Sequence, residues 1–173
     1  MKRKIEVLNY AKEIMKAVEN GVLLTTKADG KVNTMTISWG TLGIEWRKPI
    51  FTAFVRESRF TKEQLDKNLE FTINIPVGEF DKKILSVCGS KSGRDMDKIK
   101  ELNLTLEEPE VISVPAIKEL PLTLECKVVY RQVQGLKEIT EENANMFYQA
   151  NENGERDLHI VYCGEIVSAY IVE

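Results

Sequence analysis

Hydrophobic positions along the chain recur with two periods. Near the start, Val7, Ala11, Ile14 and Val18 fall on one face with Glu and Lys between them, which predicts an amphipathic helix ending at the Asn20-Gly21 stop. From Val22 the period drops to two. Segments 22–27 and 32–39 flank Asp29-Gly30, a pair suited to the positive φ angles of a type I′ turn, so they predict a β-hairpin. In its second arm Thr34, Thr36 and Ser38 share one face and Met35, Ile37 and Trp39 the other. A solvated strand face normally carries Lys, Glu or Arg somewhere; short hydroxyls alone predict that something lies against it. Strands are also expected at 50–56 and 71–75, with a helix between them starting at Thr61, whose spacing to Gln64 is that of a capping box, and ending near Asn68.

Segment 80–87 has helical periodicity, which "CGSKSGRD" breaks before a short helix at about 95–102. Segment 122–133 alternates, with Leu122, Leu124, Cys126, Val128 and Tyr130 on one face of a half-buried strand. Residues 136–150 mix signals, with a helix expected after Thr140, and 158–172 read as a long strand with Gly164 as a bend or bulge. About six strands, with few helices and none placed regularly between them, predict a mainly β fold: an antiparallel barrel with peripheral helices.

Composition narrows this further. With 173 residues, 43% of them hydrophobic, the chain suits one domain (1–173) with its own core or one completed by dimerisation. The net charge of −3, with basic and acidic residues interleaved, gives no broad nucleic-acid footprint but leaves room for a local anion site. No apolar run approaches the roughly 18 residues of a membrane span, and the N-terminal segment lacks the apolar core and cleavage site of a secretory signal, so a cytoplasmic location is expected. Cys88, Cys126 and Cys163 are odd in number and far apart, as reduced thiols would be, and a single histidine leaves no set of zinc ligands.

Two stretches carry candidate chemistry. Arg56, Ser58, Arg59 and Thr61 stand where a helix begins, and a phosphate is well held where helix N–H groups, hydroxyls and arginines converge; the other reading is a plain cap beside solvated arginines. Cys88 and Arg94, six apart with glycines between, have the spacing of a thiolate phosphatase loop, yet that chemistry wants a strand before the cysteine, where 80–87 looks helical. A phosphate- or cofactor-edge loop using Lys91, Ser92 and Arg94 fits better. His159 lies in a strand with no G-x-S-x-G motif to suggest a triad, and no G-x-G-x-x-G follows a strand. Trp39 and Trp46 taken singly suit a core or an interface, but their closeness to the hydroxyl strand raises a ring-stacking role.

The segments "NTMTISWGTLGIEWRKPIFTAFVRESRFTKEQLDKNLEFTINIP" (33–76), "VCGSKSGRDMDK" (87–98), "PLTLECKVV" (121–129) and "HIVYCGEIV" (159–167), in that order, resemble the flavin reductase-like, FMN-binding split-barrel family, especially its flavoredoxin-type members. One departure is the single proline, Pro49, leading into the third strand. The resemblance implies a Greek-key split barrel that forms a homodimer and binds FMN noncovalently. It implies that Asn33, Met35, Thr36, Ile37, Ser38 and Trp39 line the isoalloxazine, the short hydroxyls letting the ring approach the backbone. By the same carry-over Arg56, Ser58, Arg59 and Thr61 hold the ribityl phosphate, Cys88, Lys91, Ser92 and Arg94 close the pocket, and His159 and Tyr170 approach the ring. The activity so implied is an NAD(P)H-dependent flavin reductase, with hydride chemistry at flavin N5 and no catalytic side chain; the alternative is an electron carrier with tightly bound FMN, no nicotinamide site and a redox protein as its donor.

Overall fold

The computed structural model describes residues 1–173. In chain order the elements are β1 (Lys2–Lys4), a 3-10 turn (Val7–Tyr10), α1 (Ala11–Asn20), β2 (Val22–Ala28), β3 (Lys31–Ile37), β4 (Gly40–Glu45), β5 (Lys48–Arg56), α2 (Phe60–Lys67), β6 (Glu70–Ile75), α3 (Lys83–Ser90), α4 (Lys98–Glu101), β7 (Leu106–Glu107), β8 (Ala116–Ile117), β9 (Leu122–Val133), a 3-10 turn (Leu136–Glu138), α5 (Glu141–Phe147) and β10 (His159–Val172). Eight strands form one antiparallel sheet in the order β3-β2-β6-β9-β10-β5-β4, with β1 added to the far end of β10. Val22 and Ile37 from one end of that order meet Phe51, Ala53 and Val55 from the other in a single core cluster, so the sheet curls on itself. Its end strands β3 and β4 do not pair, and the result is a split barrel.

Local chemistry explains the joints. Asp29 and Gly30 take φ of 50° and 75°, as the β2-β3 hairpin requires. Trp46 and Arg47 do the same for β4-β5, with φ of 51° and 59°; no glycine marks this turn, and β4 escapes the sequence reading. At Gly164 the β9-β10 register shifts, and a Cβ there would lie 2.5 Å from Phe71 Cζ, so the bulge needs glycine for close approach. Helix α1 sets Ile14 and Val18, both buried, on the barrel interior; each such side chain contributes about 1.5–3 kcal/mol of burial.

A second layer covers part of the outer face. Leu23 packs with Ile84, Cys88, Leu104, Ile117 and Leu120, which brings α3 and the 99–120 segment onto β2 and β3. This is what lies against the hydroxyl strand. Thr25 Oγ1 lies 3.0 Å from Thr34 Oγ1 and 3.2 Å from Asn74 Oδ1, and Asn74 donates to Thr123, while Thr36 Oγ1 donates to the Leu85 carbonyl of α3 at 2.7 Å. Thr34 and Thr36 are thus hydrogen-bonded under this layer, while Ser38, at the end of the same face, is exposed. The alternation of β9 is corrected. Leu122 to Cys126 are buried on both faces, because Glu125, itself fully buried, accepts the N–H groups of Glu110, Val111 and Ile112 and holds that loop over the strand.

Candidate functional site

Between the free edge of β3 and the strands β5 and β10 runs a cleft of about 250 Å³, bordered by Met35, Thr36, Ile37, Ser38, Trp39, Phe54, Arg56, Arg59 and His159. The carbonyl of Thr34 faces away from β2, since it accepts from Lys98 Nζ at 2.8 Å, and backbone groups of a strand alternate in direction. Thr36 shares that phase, so its N–H and C=O point off the sheet edge toward the cleft. Opposite, the buried ring of His159 lies 5.0 Å from that of Trp39 and its Nδ1 is 2.8 Å from Tyr148 Oη. Burial, then the positive charge of Arg56, lowers the His159 pKa to about 4, so the imidazole is neutral at neutral pH.

Arg56 and Ser58 do structural work at the mouth. Arg56 donates to the carbonyls of Asp157 at 2.6 Å and Phe147 at 3.0 Å, while Ser58 donates to the Asp157 carboxylate through its N–H at 3.0 Å and its hydroxyl at 2.6 Å. Together they pin the 147–157 segment beside the cleft.

The cleft continues into a smaller cavity of about 110 Å³, with Met35, Thr36 and Arg59 common to both. Its border holds four cations, Arg59, Lys91, Arg94 and Lys98, with the polar side chains of Asn33, Ser58, Thr61 and Ser92, and no carboxylate. The 91–94 loop is seated tightly: Lys31 Nζ donates to the Gly93 carbonyl at 2.6 Å, Arg94 donates to the Ser58 carbonyl at 3.0 Å and pairs with Glu63, and a Cβ on Gly93 would fall 2.1 Å from Asn33 Oδ1. Lys98 is 4% exposed, and its ammonium donates to the carbonyls of Thr34 and, at 3.1 Å, Cys88. Burial, followed by repulsion from Arg59, lowers its pKa.

Two sequence expectations are corrected here. Thr61 is not the helix cap: α2 begins at Phe60 with Arg59 at the cap position, the buried Thr61 hydroxyl accepts from Asn33 Nδ2 at 3.2 Å, and Gln64 bonds Thr26 and the Lys31 carbonyl. Cys88 and Arg94 do not form a phosphatase loop. Cys88 sits within α3, its thiol in an apolar cluster, and burial pushes its pKa up to about 11, where no thiolate forms at neutral pH.

Of the residues singled out in the sequence, Asn33, Met35, Thr36, Ser58, Arg59, Thr61, Cys88, Lys91, Ser92 and Arg94 border the small cavity, and Ile37, Ser38, Trp39, Arg56 and His159 join them along the wider cleft. Tyr170 does not. It lies at the other end of β10 from His159, packed with Ala116 and Val172 under the Lys2 ammonium, and donates to Glu125 at 2.9 Å. Phe54, Gly93 and Lys98 were missed: a phenylalanine in a strand reads as core and a lysine in a short helix as solvated, and only "SGRD" hints that Gly93 matters.

The fold and site together are those of an antiparallel split barrel with a basic cavity opening into an aromatic-walled cleft. Residues 15–173 match the family described as "Flavin reductase like domain", and the chain belongs to that family. The flavoredoxin of Methanosarcina acetivorans is 27% identical and superposes with a TM-score of 0.66 over 88% of this chain and 68% of its own. An FMN-binding domain of a flavin reductases-like enzyme from Shewanella baltica, at 18% identity, shares the fold with a TM-score of 0.66 over 99% of this chain and 77% of its own. An uncharacterized protein of Archaeoglobus fulgidus is 32% identical over 99 residues, 57% of this chain, and that match spans 55% of the relative's length.

Proposed function

We propose that the joined cavities hold FMN and that the protein is an NAD(P)H-dependent flavin reductase-like oxidoreductase. The residues fit the cofactor by charge and shape: Arg59, Lys91 and Lys98, none of them paired with a carboxylate, suit a phosphate monoester, and the exposed backbone edge of β3 with Trp39 suits a planar ring with polar edges. When bound, FMN supplies hydride acceptance and donation at its N5 position. Under this reading Arg59, Lys91 and Ser92 hold the phosphate. The Thr36 backbone orients the ring, neutral His159 adds no charge beside it, and the pinned 147–157 segment limits water.

The observation that carries the enzymatic reading is a third cleft of about 550 Å³, largely apolar, which shares Ser38, Trp39 and Phe54 with the ring cleft and gives a small second substrate room to approach from that side. Reconstitution with FMN followed by anaerobic mixing with NADH or NADPH tests this. Rapid loss of the yellow colour is expected. Reduction by dithionite alone would favour the second reading, an electron carrier, which draws on the likeness to flavoredoxin. We further propose that the protein works as a homodimer.

A further inference from the structure

We propose that Glu19 decides which hydride donor the protein accepts: a nicotinamide dinucleotide with free ribose hydroxyls, NADH, in preference to the 2′-phosphorylated NADPH. This rests on the reading of the third cleft as the second-substrate site. That cleft, of about 550 Å³, has the size of a site for a small organic molecule, and Glu19 is the only charged residue on its border. The carboxylate takes part in no salt bridge. Its place in α1 does not account for it either. Glu19 stands in the last turn, where the carbonyl end of the helix dipole disfavours a negative charge, and that turn carries no basic residue to offset it. Met15 and Val18 of the same helix border the cleft too, so α1 presents an apolar wall with one free carboxylate.

An ionised carboxylate only accepts hydrogen bonds, and the ribose hydroxyls of NADH donate them, so an acidic side chain at the cleft edge suits a 2′-hydroxyl. The same carboxylate repels a 2′-phosphate. No cation on the border offsets that repulsion, and Arg56 of the adjoining ring cleft is turned to the carbonyls of Asp157 and Phe147. The diphosphate is common to both donors and cancels in the comparison. Only the 2′-phosphate tells them apart.

The test compares wild type, Glu19→Gln and Glu19→Lys in two measurements. One is the rate of anaerobic reduction of the FMN-loaded protein by NADH and by NADPH. The other is the affinity for NAD⁺ and NADP⁺, read by tryptophan fluorescence, since Trp39 borders the cleft. Wild type should favour the unphosphorylated dinucleotide by about 10- to 100-fold in both. Gln keeps an acceptor oxygen and loses the charge, so it should narrow the preference chiefly by a gain with the phosphorylated partner; Lys should abolish or reverse it. Added salt should narrow the preference in wild type and leave Gln unmoved, because the repulsion is screened. Both variants relieve an unfavourable charge at a helix end, so both should fold. A wild type without the preference, or a preference that Gln and Lys leave unchanged, would overturn the proposal. Reduction by neither donor, with FMN still bound, would instead overturn the enzymatic reading of the third cleft, and the role of Glu19 with it.

Discussion

His159 shows how one buried side chain makes the stability of the apoprotein depend on pH. Its folded pKa lies near 4, below the 6.5 of a free imidazole, because burial and Arg56 both disfavour the cation. The unfolded chain therefore binds a proton first as pH falls. Stability from the neutral ring is complete above about pH 6.5 and is lost as the pH drops toward 4, by an amount on the order of 2–3 kcal/mol. Urea unfolding of wild type and His159→Gln between pH 7.5 and 4.5 checks this. The wild-type free energy should fall more steeply than that of the variant, and parallel curves would mean that the imidazole is not held neutral.

At the scale of elements, the site depends on how loop 91–94 is set against β3. The Gly93 backbone is pressed on Asn33 and Phe60, with Cβ-equivalent distances of 2.1 Å to Asn33 Oδ1 and 2.8 Å to Phe60 Cδ1. A methyl group there must displace the loop that carries Lys91, Ser92 and Arg94. Gly93→Ala should lower FMN affinity about tenfold or more at an overpacking cost of about 1–3 kcal/mol, because Gly93, though buried, packs on Asn33 and Phe60 outside the main core cluster. Equilibrium titration beside a melting curve separates the two effects. This loop also shows where the sequence was legible. Alternation and the Asp29-Gly30 turn mark β2 and β3, and glycines with Lys91, Ser92 and Arg94 mark the basic loop that borders the small cavity. What no period could signal is that α3 lies across β3, which turns Thr34 and Thr36 into a buried network and brings Lys98 under the strand edge. The β4 strand was hidden for a different reason: its turn uses Trp46 and Arg47 at positive φ, where a sequence reading looks for glycine or asparagine.

The whole molecule leaves one part of its sheet unfinished. The ladder of β6 with β9 ends at Lys127, with one further bond from the Val128 N–H to the Leu69 carbonyl, so from Val129 onward β9 is bonded on one side only, to β10. Along that half, Val129, Tyr130 and Val133 are 43%, 45% and 47% exposed, and Leu136, Met146 and Phe147 add further exposed apolar surface in the segment that follows. A long apolar edge of this kind invites pairing or aggregation unless another surface covers it, and the seat proposed for it is a second copy of the chain. A stable homodimer buries roughly 1,200 Å² or more in total, about half of it from each copy. Sedimentation at micromolar concentration should give twice the 19.7 kDa mass of the chain. Placing charge at the centre of the patch, as in Val133→Lys, should shift the protein to monomer without loss of far-UV circular dichroism, because Val133 is not part of the barrel core. A wild-type monomer, or a dimer indifferent to that charge, would move the interface elsewhere. Phe147 packs edge-on against Trp39 at 5.1 Å, so if this patch is the interface, the monomeric variant should also bind flavin more weakly. That links assembly to the site through a contact already present within one chain.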